Sequence, residues 1–473
     1  MDLSNLPIQE LVKKIYEKGI SNKEYCTSVR ERCLQAQDDF NLFISLNTFE
    51  NMNKALTESE DKNGQNLPLM GVHFVLGDNI CSSELKTTCA SKMLSSYQPP
   101  FDATVSVRLK NKGAFMLGKT NMEEFGVGCT GNSSFFNTVK NPLEKNHLAG
   151  NGAAAAVASG VAALALASDA RGELRQAASF CGVPAIKPTA GRISRLGLID
   201  HASSLEQIGV IANWVGDLAL TLETIAGTDP GDPVTLKTEP PSYLFSLQGN
   251  NEKPSFAIPE DWAEAPFLEE EIRAGFQNQL QALKKAGFEI ELISLPYFKY
   301  ASAVTEIISS VEAFSNFSNL DGIRFGFRKE GKHLQELYTR TRSEGFSSKL
   351  KKFLSFGALN SKGSYYQNYF VKAQKVRSMI KKELHKTLSR YILLTPTTPF
   401  TAPLLNSKEN EWQIPEPACF FTAVANLAGF PALTYPVKTA SKLPWGLQLI
   451  GKPDDESTLF RTALLLEKAD ILS

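Results

Sequence analysis

Residues 150–168 carry no charged side chain and consist mostly of Gly, Ala and Ser. They open with Gly150-Asn151-Gly152, pass through Ala153-Ala154-Ala155-Ala156-Val157-Ala158-Ser159-Gly160, and end in an apolar run before Asp169. A segment this small and apolar belongs inside a packed protein. At 15 residues, 153–167 is too short to span a bilayer core, which takes about 20. It is therefore expected as a buried helix running into a strand. Four charged residues follow at once: Asp169, Arg171, Glu173 and Arg175. A buried charge requires a partner, and Glu173 has Arg171 and Arg175 at hand.

Apolar periodicity on either side predicts alternating helices and strands. Helical spacing covers 6–19. Ser21 and Glu24 have the spacing of a capping box, opening a second helix to about Gln37. Residues 40–47 alternate as a strand, 63–66 form a polar break, and 72–76 read as a buried strand between glycines. Asp102 is placed to cap a helix through Lys112, followed by a strand at 114–117. Farther on come strand, helix and strand between 254 and 295. A long helix at 366–391 leads into Ile392-Leu393-Leu394-Thr395-Pro396. Strands at 432–437 and 445–450 and a helix at 457–469 complete the pattern. Such alternation implies a mostly parallel, helix-covered sheet. The Pro- and Asp-rich stretch 227–243 suggests a boundary.

Fifty Lys and Arg balance fifty Asp and Glu, so no bulk charge draws the chain to nucleic acid or an anionic membrane. The basic clusters 349–352 and 381–382 are expected on solvated helix faces, or against RNA or an acidic partner. Seven cysteines, with no CxxC pair, suggest neither a disulfide framework nor a zinc site, and fit a reducing compartment. No secretory signal or membrane span is evident, so a cytoplasmic protein is expected.

Several longer stretches carry a resemblance. They include Lys86-Thr87-Thr88-Cys89-Ala90-Ser91-Lys92, Gly118-Lys119-Thr120-Asn121-Met122-Glu123-Glu124-Phe125, Ala178-Ser179-Phe180-Cys181-Gly182 and Ser203-Ser204-Leu205-Glu206-Gln207-Ile208-Gly209. Ala373-Gln374-Lys375-Val376-Arg377, Leu394-Thr395-Pro396-Thr397-Thr398-Pro399 and Gly446-Leu447-Gln448-Leu449-Ile450-Gly451 extend it to the end. In these the chain resembles the amidase signature family, and within it the A-type component of the glutamyl-tRNA(Gln) amidotransferases.

The resemblance implies an α/β/α sandwich around a central mixed, largely parallel sheet. It also implies an N-terminal helical region at 1–65, a core at 66–473 and a later α/β and helical insertion at about 244–391. It implies protein partners, including subunits B and C of such an amidotransferase, with nucleic acid met only indirectly, in a tRNA-dependent complex. No cofactor or metal is implied.

The family's chemistry is a Lys–Ser–Ser relay, in which a base in hydrogen-bond reach activates a weak hydroxyl. At the corresponding places this chain has Gly77 before Asp78-Asn79, a shortened loop at Gly150-Asn151-Gly152 with the serine pair deleted, and Glu173 within Asp169-Ala170-Arg171-Gly172-Glu173-Leu174-Arg175. Phe353 falls where glutamine-binding relatives have an arginine. Cys419 falls where they have an acid. These positions, with Cys129, are expected around the former pocket. The resemblance thus implies a catalytically inactive member acting through protein–protein contacts, as scaffold, regulator or subunit mimic.

Other readings stay open. Glu173 is expected to pair with Arg171 or Arg175 and plug the pocket, its carboxylate accepting from backbone N–H groups that would face an oxyanion. Alternatively it acts as an acid, base or nucleophile with His73, His147 or Asp78, or the cavity survives as a sensor for a small amide or amino acid. His73 and His147 are otherwise surface or loop histidines, and His201 carries less weight still. Asp78, Asn79 and Lys119-Thr120-Asn121 are expected to satisfy loop backbone, or else to touch a ligand. Cys129 is a further candidate nucleophile, and the Gly150 to Gly152 run a weak candidate for phosphate.

Overall fold

The computed structural model describes residues 5–17, 21–61, 67–249, 252–260, 265, 267–406, 417–437 and 443–469. The polar break expected at 63–66 lies outside them.

Eleven strands form one sheet: β1 (Phe43–Leu46), β2 (His73–Gly77), β3 (Phe115–Thr120), β4 (Leu164–Asp169), β5 (Ala185–Lys187), β6 (Gln207–Ala212), β7 (Phe256–Pro259), β8 (Ile290–Ile293), β9 (Ile392–Pro396), β10 (Ala432–Val437) and β11 (Trp445–Ile450). Their spatial order is β1-β3-β2-β4-β6-β5-β10-β11-β9-β7-β8. β2, β3, β4, β6, β5, β11 and β9 are buried at every residue, so helices and loops cover both faces of the middle of the sheet. The edge strand β8 is only partly buried.

The sheet is mixed, but parallel pairing does not dominate it. β2 pairs in parallel with β3 and β4, and β7 with β8 and β9. The β1–β3, β4–β6, β5–β6, β5–β10, β10–β11 and β9–β11 pairings are antiparallel. The reason lies in the connections. A parallel return needs a long crossover, usually a helix. No helix lies between β5 and β6 or between β10 and β11 among the described residues.

Local signals decide several elements. Ser21 and Glu24 form the expected reciprocal capping box on the helix Asn22–Phe40, which ends at Asn41 in the left-handed region. Asp102 does not cap the next helix. That helix, Thr104–Asn111, starts after Ala103 without a side-chain cap, while Asp102 accepts from Ser83 N and pairs with Lys110. The uncharged run 150–168 is a short helix, Gly152–Ala158, followed by β4. Its small side chains let the backbone pack closely: a Cβ on Gly150 would stand 2.8 Å from that of Ala177.

Candidate functional site

The C-terminal ends of β2 and β4 and the starts of two helices meet around one small cavity. Its lining includes Gly77, Asn79, Asn121, Glu123, Gly150, Asn151, Ser168 and Glu173. The three stretches singled out in the sequence, at 77, 150–151 and 173, therefore converge although they are far apart along the chain. The cavity holds about 20 Å³, room for about one water.

Glu173 opens the helix Glu173–Cys181, directly after β4 and a tight turn. Gly172 makes that turn possible. Its φ is +116°, and a Cβ there would collide with the Thr422 side chain. The turn aims two backbone N–H groups at one point, and the Glu173 carboxylate occupies it. Oε2 accepts from Ala170 N and Arg171 N, both at 2.8 Å. Oε1 lies 3.3 Å from Arg171 Nε. Arg171 reaches on to Glu306 on the helix Ala301–Asn316, Nη1 to Oε2 at 2.6 Å, and its guanidinium lies 5.5 Å from the centre of the Phe353 ring. Burial raises the Glu173 carboxyl above its ordinary value, with Arg171 opposing. The expected pairing with Arg171 is present; Glu306 has no local sequence signal, since it lies 135 residues away.

Arg175 takes no part in this pair. It grips Asp169 through both carboxylate oxygens at 2.9 Å and also donates to Gln448 Oε1, Asn426 Oδ1 and the Thr422 carbonyl. Burial works against ionising Asp169, but the Arg175 guanidinium and the Asn426 amide hold it below the usual carboxylate range.

Asn151 caps the helix Gly152–Ala158, accepting from Ala154 N at 2.9 Å. The opposite wall is set by Glu123, which accepts from Gly131 N at 2.7 Å, from Thr130 N at 3.1 Å and from Lys349 Nζ at 3.2 Å. Lys349 thus departs from the solvated face expected for 349–352, whereas Lys351 and Lys352 are exposed.

The remaining candidates separate. Asp78 is fully buried, accepting from Thr88 N and Ala90 N and lying 3.7 Å from Lys119 Nζ. It fixes a turn in which Cys89 and Ala90 both have positive φ, as expected of a group that satisfies loop backbone. Asn79 lines the cavity and donates to Ser168 Oγ at 2.9 Å. His73 is not a surface or loop residue. It is fully buried on β2, with Nδ1 3.0 Å from the Tyr25 hydroxyl, and burial pushes it down to about 3. His147 bridges to Leu404. Neither histidine nor Asp78 lines the cavity, so the His73, His147 and Asp78 constellation around Glu173 does not assemble. Among the described residues, no group of His, Cys, Asp and Glu could hold a metal.

Sequence reasoning undervalued His201. It is fully buried, with Nδ1 3.3 Å from Glu206 Oε2 and its ring edge-on to Phe353. Burial disfavours its charge, but Glu206 and Glu173 outweigh that and raise it. Glu206 also approaches the cavity-lining Asn79, at 3.3 Å.

The Amidase family model matches residues 24–460. The chain belongs to the amidase signature family. The A component of the glutamyl-tRNA(Gln) amidotransferase of Geobacillus sp. (strain WCH70) is 38% identical over 478 residues, covering 99% of this chain and 98% of that protein. The corresponding protein of Halothermothrix orenii is 37% identical over 475 residues, with the same coverage. The crystal structure of the glutamyl-tRNA(Gln) amidotransferase A component from Thermotoga maritima superposes with a TM-score of 0.79 at 32% identity, covering 99% of this chain and 95% of that one. A 6-aminohexanoate cyclic dimer hydrolase complexed with substrate shares the fold, with a TM-score of 0.83 at 22% identity.

Within this amidase-family chain, Phe353 is fully buried, in a cluster with Phe125, Phe317 and Phe346. Cys129 and Cys419 form a separate small cluster with Ala418. Neither cysteine lines the cavity.

Proposed function

We propose that this chain is a catalytically silent amidase-family protein that acts through its surface, taking the place of the A component in an amidotransferase-like assembly or regulating one. Full-length similarity to such A components supports a role among protein partners such as subunits B and C.

One observation carries the proposal. The Glu173 carboxylate sits on the N–H groups of Ala170 and Arg171, the donors a reacting oxyanion would need, and Arg171 is tied to it from the other side. In the relay implied by the family resemblance, a lysine and two serines act together. Gly77, the loop at Gly150-Asn151 and Glu173 stand in their places and supply neither a lysine amine nor a serine hydroxyl. Such groups act as a unit, so partial replacement does not restore the reaction. The small size of the cavity beside Glu173, with room for about one water, supports a filled site.

The test is twofold. Purified protein releases no ammonia from glutamine, asparagine or simple amides. Affinity capture from native lysate recovers amidotransferase subunits B and C. Turnover that Glu173→Ala abolishes overturns the proposal.

A further inference from the structure

Cys129 and Cys419 approach each other more closely than two unbonded sulfurs normally rest, with Sγ to Sγ at 2.7 Å, although 290 residues separate them in sequence. Each is 2% exposed. A disulfide needs an S–S distance of about 2.05 Å, so about 0.7 Å of closure would join them.

Both sulfurs ride on anchored backbone. Cys129 follows Gly128, whose φ is +134°, in the loop whose next N–H groups, those of Thr130 and Gly131, are gathered by Glu123. Cys419 ends the short turn Pro417–Cys419. The Ala418 carbonyl in that turn accepts from Gln176 at 3.0 Å, and Thr422 just beyond donates to the Arg171 carbonyl at 2.6 Å. The close approach therefore joins two fixed segments, one of which, the loop from Glu123 to Gly128, lines the plugged cavity.

We propose that Cys129 and Cys419 form a reversible disulfide clasp under oxidation by a small peroxide, tying the 123–133 loop to the 417–422 segment. Hydrogen peroxide oxidises one thiol to a sulfenic acid and releases a water. The sulfur of the second thiol attacks the sulfenic sulfur, the S–S bond forms, and the departing hydroxide takes the thiol proton as a second water. Two thiols and one peroxide give one disulfide and two waters, with two electrons passing from sulfur to peroxide oxygen. In a reducing compartment such a bond is transient, as redox-sensing disulfides are.

The experiment treats the full chain with hydrogen peroxide, alkylates remaining thiols under denaturing conditions, and maps peptides without reduction. The expected result is a Cys129–Cys419 linked peptide, loss of two of the seven thiols, and recovery of both with dithiothreitol. The oxidised wild type gains apparent melting temperature over the reduced form, and Cys129→Ser and Cys419→Ser do not. Seven thiols remaining, overoxidation of either cysteine without a linkage, or a linkage between other cysteines overturns the proposal. Mapping of the wild type decides it even if a variant folds poorly.

Discussion

Arg171 and Arg175 stand four residues apart at the start of one helix, and each meets a carboxylate, yet they do different work. Arg175 holds Asp169, Asn426, Gln448 and the Thr422 carbonyl, so it fastens β4, β11 and the helix Ala423–Ala428 to one point. Arg171 holds Glu306 and Glu173, and Glu173 lines a cavity. The first network joins sheet to helices. The second fills a site. A buried ion pair can therefore be framework or plug, and what lies beyond its outer atoms separates the two.

The largest expected effect falls on the framework. Arg175→Ala leaves Asp169 buried without its partner and costs about 3–5 kcal/mol, read as a large drop in the denaturant midpoint. A loss as small as that of a plug variant would erase the distinction between the two pairs. Glu173→Ala uncovers two N–H groups and half of the Arg171 pairing, at a cost of about 1–3 kcal/mol by the same assay, and the protein stays folded. Phe353→Leu removes the ring beside Arg171 and some core volume, and costs roughly 1 kcal/mol.

The smallest effect is a change of slope. His201 is raised and Glu206 lowered by their pairing, each against the pull of burial. The raised His201 adds stability that is full below its unfolded value of about 6.5 and is lost as pH rises through its higher folded value. Glu206 adds stability present above about 4.5 and lost as pH falls. Stability of wild type minus that of His201→Gln should therefore decline as pH rises above 6.5. Taking the difference cancels other groups in that range, such as Asp217, raised by burial to about 7. A flat difference would show that His201 is not charged in the fold.

Much of this was legible in the sequence where the signal is local. Ser21 and Glu24 announce a helix start, and the apolar runs at 392–396 and 445–450 announce strands. The convergence of 77, 150–151 and 173 came from family resemblance, because no local rule brings those residues together. Strand direction was less legible: apolar runs give burial, whereas the connections decide parallel or antiparallel pairing. Asp102 looked like a cap, but Ser83 and Lys110 compete for its oxygens. His201 was undervalued and Glu306 missed for one reason. Each matters through partners that only the folded chain brings near.

Ammonia release from glutamine, asparagine and simple amides by the purified chain, measured beside Glu173→Ala, decides whether the site is silent. A silent site gives no release above buffer from either protein. Release by the wild type that disappears in Glu173→Ala would contradict it.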